Sequence, residues 1–261
     1  VVNNKIMKKI IQLSCAVVSA FGLWACSGDD NKNSGAEISQ PVTTFTNSER
    51  GFGWLTSNFF KPDSGDYKGI VVFGSGNDPE DPTQGDMHDA YLVSLSQKLA
   101  GQGYLVAIVQ YRDEPAVGAN WENWTSNVEM LSYDLSDTGN FIAEEFGLER
   151  SDIILGGSSY AANALLSNSA WGNVLQGTKG FIAIMGSCAV DTAQNIKLPV
   201  LTYACKEEPY NTHYGKSLYD NIQDNDIKTL SYGMTDNSCS GHSTSNNWQD
   251  DIVGKVKAWL P

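Results

Sequence analysis

Ser159 has the surroundings that nucleophilic chemistry requires. The apolar run Ile153-Ile154-Leu155 leads into Gly156-Gly157-Ser158-Ser159-Tyr160-Ala161-Ala162 and then into a helix-forming stretch. A nucleophilic serine on such a strand-to-helix turn needs tiny neighbours two residues to either side, because the backbone there is strained and closely packed. Gly157 and Ala161 hold those positions around Ser159, whereas Ser158 would need the much larger Tyr160 in the equivalent place. A hydroxyl is a poor nucleophile until a base takes its proton. The histidines are His88, His213 and His242. His242 lies in Ser238-Cys239-Ser240-Gly241-His242-Ser243, a loop of small residues before the terminal helix, and is the candidate base. His88 reads as a surface residue, and His213 as exposed or on a rim at the start of a helix. A carboxylate must in turn orient the imidazole. Glu208, in Cys205-Lys206-Glu207-Glu208-Pro209, is the first candidate; Glu207 competes with it, and Asp191, one loop earlier, is a third option.

These residues must be brought together by the elements that carry them. Strands are predicted at Leu55–Phe60, Gly69–Phe73, Leu105–Tyr111, Ile153–Leu155, Gly180–Met185, Pro199–Ala204 and Thr229–Tyr232. Runs such as Ile70-Val71-Val72-Phe73 and Phe181-Ile182-Ala183-Ile184 are continuously apolar, as strands covered on both faces should be. Helices are predicted at Ala90–Gly101, Asn127–Phe146, Tyr160–Ser167, Tyr214–Gln223 and Asn247–Leu260, the last with Trp248, Ile252, Val256 and Trp259 on one stripe. This alternation predicts an α/β fold with a mostly parallel sheet and helices on both faces. In such folds the chemistry sits in loops that follow the strands.

The Ser159 segment resembles the nucleophile elbow of the α/β-hydrolase superfamily, Gly-x-Ser-x-Gly, with Ala161 replacing the last glycine. The order Ser159, Glu208, His242 matches that superfamily's Ser…Asp/Glu…His. Its members carry the histidine in the loop before the last helix. They often show Gly-x-x-Asp-Pro at the acid, where this chain has Cys205 for the glycine and Glu208 for the aspartate. The resemblance implies an oxyanion hole built from the backbone N–H of Tyr160 and of Ser75, the latter in Phe73-Gly74-Ser75, which keeps the family's glycine but not its histidine. Only Gly186 to Leu198 separates two strands between which lidded hydrolases insert a helical cap. The chain thus resembles lidless serine esterases of the dienelactone-hydrolase and polyester-hydrolase kind. An open site is implied, suited to short acyl esters or to esters borne on a polymer. Trp121 and Trp124, after Tyr111-Arg112-Asp113, are candidates for a substrate-binding aromatic platform. Cys188, Cys205 and Cys239 allow three pairings. Cys205–Cys239 is favoured because each lies three residues before a triad candidate, an arrangement similar to that of some polyester-degrading hydrolases. A peptidase of the same fold and a binding protein that has lost the chemistry are the alternatives.

The 261 residues carry 41% hydrophobic and 18% charged side chains, which excludes wholesale disorder and a polytopic membrane protein. A net charge of −13 speaks against nucleic acid as a partner, since that binding neutralises phosphates with Lys and Arg. No metal-ligand spacing or nucleotide motif is evident, and no cofactor is expected. Lys5, Lys8 and Lys9 precede an apolar stretch from Ile10 to Ala25, which has the pattern of an export signal. It ends in Leu23-Trp24-Ala25-Cys26, which resembles a bacterial lipobox with Cys26 as the lipidated residue. Residues 26–48 then read as a flexible tether, and 49–261 as the catalytic domain. The expected product is an exported monomer, held to a bacterial membrane only through its N-terminal lipid.

Overall fold

The apolar runs become the inner strands of a sheet that is covered on both faces. A computed structural model describes residues 45–63, 65–76, 84–112, 124–209 and 211–261. Its strands are β1 (Phe45–Phe52), β2 (Leu55–Pro62), β3 (Ile70–Gly74), β4 (Leu105–Val109), β5 (Ile153–Ser158), β6 (Gly180–Ile184), β7 (Ser187–Cys188), β8 (Val200–Lys206), β9 (His213–Tyr214) and β10 (Tyr232–Ser240). Its helices are α1 (Ala90–Ala100), α2 (Trp124–Phe146), α3 (Tyr160–Trp171), α4 (Val190–Gln194), α5 (Gly215–Asn221), α6 (Asn225–Leu230) and α7 (Asn247–Trp259). Eight strands form one sheet in the order β1-β2-β4-β3-β5-β6-β8-β10, and β7 pairs with β9 in a small second one. The β1–β2 and β2–β4 pairs are antiparallel and the rest of the large sheet is parallel.

Alternation along each inner strand assigns side chains to the two layers. Ile70, Val72, Leu105, Ala107 and Val109 pack with Leu131 and Leu135 of α2 and Leu165 and Leu166 of α3. Val71, Phe73, Val106 and Ile108 pack on the other face with Leu92, Leu95 and Leu99 of α1 and Trp248, Ile252 and Val256 of α7. This is the period-two geometry of a strand whose two sides both meet helices. β3 lies between β4 and β5, so chain segments leaving the ends of β3 and β5 diverge and open a crevice at the carboxyl edge of the sheet.

The sequence expectations fail at the two edges. Phe45–Ser48, expected in the tether, form the first half of β1, pairing from Phe45↔Pro62. That strand, Phe-Thr-Asn-Ser-Glu-Arg-Gly-Phe, has no apolar period because it is an edge strand held by its hairpin partner. The strand expected at Thr229–Tyr232 is displaced. Thr229 belongs to α6, whose start is capped by the Asp224 carboxylate accepting from the amides of Asp226 and Ile227. The strand that follows, β10, is polar and half-exposed, and its pairing with β8 on one side defines it. Within 186–198 the chain builds only β7 and α4, with no cap domain.

Trp248 is fully buried between α7 and the sheet. Trp248→Ala is expected to lower the unfolding free energy by about 3–5 kcal/mol, measured by urea denaturation.

Candidate active site

Ser159 stands between the end of β5 and the first residue of α3, with φ 54° and ψ −115°. A non-glycine residue rarely adopts a positive φ, and surrounding packing must hold it there. Gly157 supplies part of that packing: a Cβ there would sit 2.5 Å from the Ala161 carbonyl carbon and the Ala162 nitrogen. Ala161 is tolerated where a glycine is usual because its neighbour is one, since a Cβ on Gly74 would lie 3.0 Å from the Ala161 methyl. The Ser159 hydroxyl makes no capping hydrogen bond to α3. It lies instead 2.7 Å from Nε2 of His242.

His242 reaches Ser159 from the loop between β10 and α7. Its Nδ1 is 3.0 and 2.9 Å from the two carboxylate oxygens of Glu208. With Nδ1–H donated to that carboxylate, Nε2 is left with a lone pair for the serine proton. The Glu208 side chain is fully buried and the imidazole is 23% exposed, so the carboxylate is sealed while the histidine keeps access to the crevice. Glu207, its competitor, is exposed and its N–H donates to the Tyr214 hydroxyl at 3.1 Å. Asp191 is exposed on α4, where its carboxylate accepts from the Thr192 amide. His88 is a surface residue near Glu49, and Nδ1 of His213 lies within 3.1 Å of the Ser217 hydroxyl. Neither belongs to the constellation.

Strain collects along this edge. Among the described residues, the non-glycine residues with positive φ are Ser159, Met185 and Glu207, and they directly follow β5, β6 and β8. Glu207 takes its left-handed conformation, φ 61°, just before the buried Glu208.

Cys205 and Cys239 form a disulfide, closing a separation of 34 residues between the ends of β8 and β10. The acid and histidine loops therefore leave a covalently joined pair of strands. The Gly241 N–H donates to the Lys206 carbonyl at 2.8 Å, and the Asp236 carboxylate accepts from the Ser238 amide, the Ser238 hydroxyl and Nε1 of Trp248. Cys188 is buried, which pushes its thiol up to about 12 and keeps it inert.

The loop after β3 lies against Ser159: a Cβ on Gly76 would be 3.5 Å from the Ser159 Cβ. Ser75 is buried there, its hydroxyl accepting from the Asp86 amide and its carbonyl from the Tyr111 hydroxyl. Tyr160 is the first residue of α3. Sequence reasoning missed Tyr111 and also Asn163, whose side-chain oxygen accepts from the Ser187 amide and fastens the β7 segment one turn beyond Ser159. Nothing in the spacing marks either, because their roles are set by contacts across the fold. Trp121 lies outside the described residues, as do Cys26 and the segment around it; Trp124 opens α2, but its side chain lies outside them too. Among the described residues there is no cluster suited to a metal ion and no helix long and apolar enough to cross a membrane.

No protein-family model matches this chain, and no curated protein resembles it in sequence. Solved structures do resemble it. A cold-adapted esterase from an Arctic intertidal metagenomic library superposes with a TM-score of 0.58 at 13% identity, over 87% of this chain and 99% of that one. Dienelactone hydrolase from Anabaena variabilis gives 0.54 at 12% identity, over 84% and 97%. Dipeptidyl peptidase 4 of Porphyromonas gingivalis gives 0.56 at 16% identity over 84% of this chain, but only 35% of that much longer one. The fold of this chain is thus the α/β-hydrolase fold, with a mostly parallel sheet and, among the described residues, no cap domain.

Replacing both Cys205 and Cys239 by alanine is expected to lower stability by about 2–4 kcal/mol in chemical denaturation. The hydrogen bonds from Ser238, with that from Trp248, hold the Asp236 carboxyl below its ordinary value of 3.8. A lowered acid stabilises the fold fully above its unfolded-state value and ceases to do so as pH falls through the folded-state value. The stability difference between the parent and Asp236→Ala should therefore be constant well above the ordinary value of 3.8 and shrink as pH falls below it, read by thermal melts across that range.

Proposed function

We propose that the protein is a serine hydrolase of carboxylic esters. The observation that carries this reading is the continuous hydrogen-bonded chain from the Ser159 hydroxyl through His242 to the buried Glu208. The esterases among its structural neighbours support the same chemistry. Ser159 Oγ attacks the ester carbonyl carbon as Nε2 of His242 takes its proton. Glu208 holds the imidazole in the tautomer that can accept that proton and stabilises the imidazolium that results. The carbonyl oxygen becomes an oxyanion, held by the amides of Tyr160 and Ser75. Collapse of the tetrahedral intermediate breaks the bond to the alcohol oxygen, which takes the proton from His242. Water, deprotonated by the same histidine, then attacks the acyl-enzyme, and the acid leaves as Ser159 recovers its proton.

The short connection between β6 and β8 favours substrates that need no enclosing cap: short acyl esters, or ester groups on a polymer. Trp121 and Trp124 are the proposed aromatic contacts for such a substrate. No metal or cofactor is required for this chemistry. Export behind residues 1–25, lipidation at Cys26 and a tether ending near the start of β1 would place a monomeric enzyme beside a membrane. The peptidase among the neighbours keeps amide bonds as a second substrate class.

The chain from Ser27 onward, assayed on p-nitrophenyl esters from acetate to palmitate and on peptide anilides, tests this reading. Short esters should be turned over in preference to long esters and amides, and a fluorophosphonate should label Ser159. Ser159→Ala should lower kcat/KM by a factor on the order of 10⁴ or more, and Glu208→Gln by roughly 10³ to 10⁴. Equal rates for the parent and Ser159→Ala on every substrate would overturn the assignment.

A further inference from the structure

Tyr111 lies just beyond β4 and is fully buried. Its hydroxyl donates to the carbonyl oxygen of Ser75 at 3.0 Å. One face of its ring lies against Tyr160, with centroids 6.5 Å apart and planes 26° from parallel. Two glycines also lie against the ring. A Cβ on Gly74 would come within 3.3 Å of Cδ1, and one on Gly85 within 2.3 Å of Cε1. The backbone beside the ring is fastened as well: the Gly85 N–H donates to the Tyr111 carbonyl at 2.9 Å, and Gln84 bridges to Arg112. One side chain thus touches both segments that carry the oxyanion amides, Ser75 through a hydrogen bond and Tyr160 through ring contact.

We propose that Tyr111 is a positioning residue of the oxyanion hole, setting the orientation of the Ser75 amide relative to that of Tyr160. The inference rests on the serine-hydrolase reading above. Oxyanion stabilisation requires N–H donors already aimed where charge develops, because a donor that must turn during the reaction gives back part of its benefit. Ser75 is held at two points: its carbonyl by Tyr111 and its hydroxyl by the Asp86 amide at 2.7 Å. Peptide planarity leaves only φ and ψ soft. Gly74 ends β3 in register with Gly157 of β5, which holds the peptide that enters Ser75; with the carbonyl and side chain fastened on the other side of its φ bond, the Ser75 amide keeps its direction. Gly85 is needed for the same reason, since any larger residue would displace the ring that delivers the hydroxyl.

Tyr111→Phe keeps the ring and deletes the donor. The expected result is a loss of about tenfold to a hundredfold in kcat on a short p-nitrophenyl ester, with KM within about twofold of the parent. Affinity for a trifluoromethyl ketone of the same acyl group, whose hemiketal oxyanion occupies the hole, should fall by the same factor. A purely structural role would lower the melting temperature without this joint shift. p-Aminophenylalanine at position 111 restores an N–H donor and should recover kcat and ketone affinity together, and this variant decides the matter if the phenylalanine form folds poorly. Unchanged kcat and ketone affinity in Tyr111→Phe, or no recovery with p-aminophenylalanine, would overturn the inference while Ser159-dependent turnover by the parent still stood. Absence of Ser159-dependent turnover in the parent would remove the serine-hydrolase reading and this inference with it.

Discussion

The left-handed backbone of Ser159 is the constraint on which the rest of the site depends. A serine in ordinary helical or extended geometry would turn its hydroxyl to the α3 backbone or into the sheet. At φ 54° it is lifted out of both and faces Nε2 of His242. That conformation persists only because the neighbouring positions have no bulk: Gly157 lets α3 approach β5, and Gly74 makes room for the Ala161 methyl. The two flanking residues are thus coupled to β3, the strand whose following loop carries the proposed oxyanion donor. The proposed nucleophile and the proposed oxyanion loop are packed as one unit.

The remaining partners depend on a different kind of tie. His242 and Glu208 lie on separate loops at the outer side of the sheet, where β8 meets the half-exposed edge strand β10. Edge strands are weakly held, so a histidine on such a loop needs further fastening. The disulfide between Cys205 and Cys239 supplies a covalent link, and the Gly241 and Asp236 hydrogen bonds hold the turn that follows. Trp248 connects this loop to the interior, with its indole N–H on Asp236 and its rings in the core. Packing of α7 against the sheet and the position of the proposed catalytic base are therefore linked through one residue.

Much of the fold was legible because it is written as hydrophobic run and period. Inner strands covered on both faces appear as unbroken apolar runs, and the Trp248 to Val256 stripe of α7 is one face of a helix. The edges were not legible in this way. β1 and β10 are polar, and each becomes a strand only through its one neighbour, so no local signal separates them from a linker or a loop. Thr229 shows the cost of reading locally: a β-branched residue beside Leu230 reads as strand, yet the Asp224 cap places it in α6.

For the site, residue type and order along the chain pointed to the proposed serine, the proposed histidine and the loop of the proposed acid. Those follow from chemistry that admits few residue types and from small neighbours that only a tight turn needs. The choice of Glu208 over Glu207 was made by tertiary structure, because adjacent carboxylates are equivalent in sequence until the turn at Glu207 sends one inside and leaves the other in water. Tyr111 belongs to the tertiary structure as well. Its hydroxyl meets the Ser75 carbonyl across the strand order β4-β3-β5, and sequence distance carries no record of which strands become neighbours.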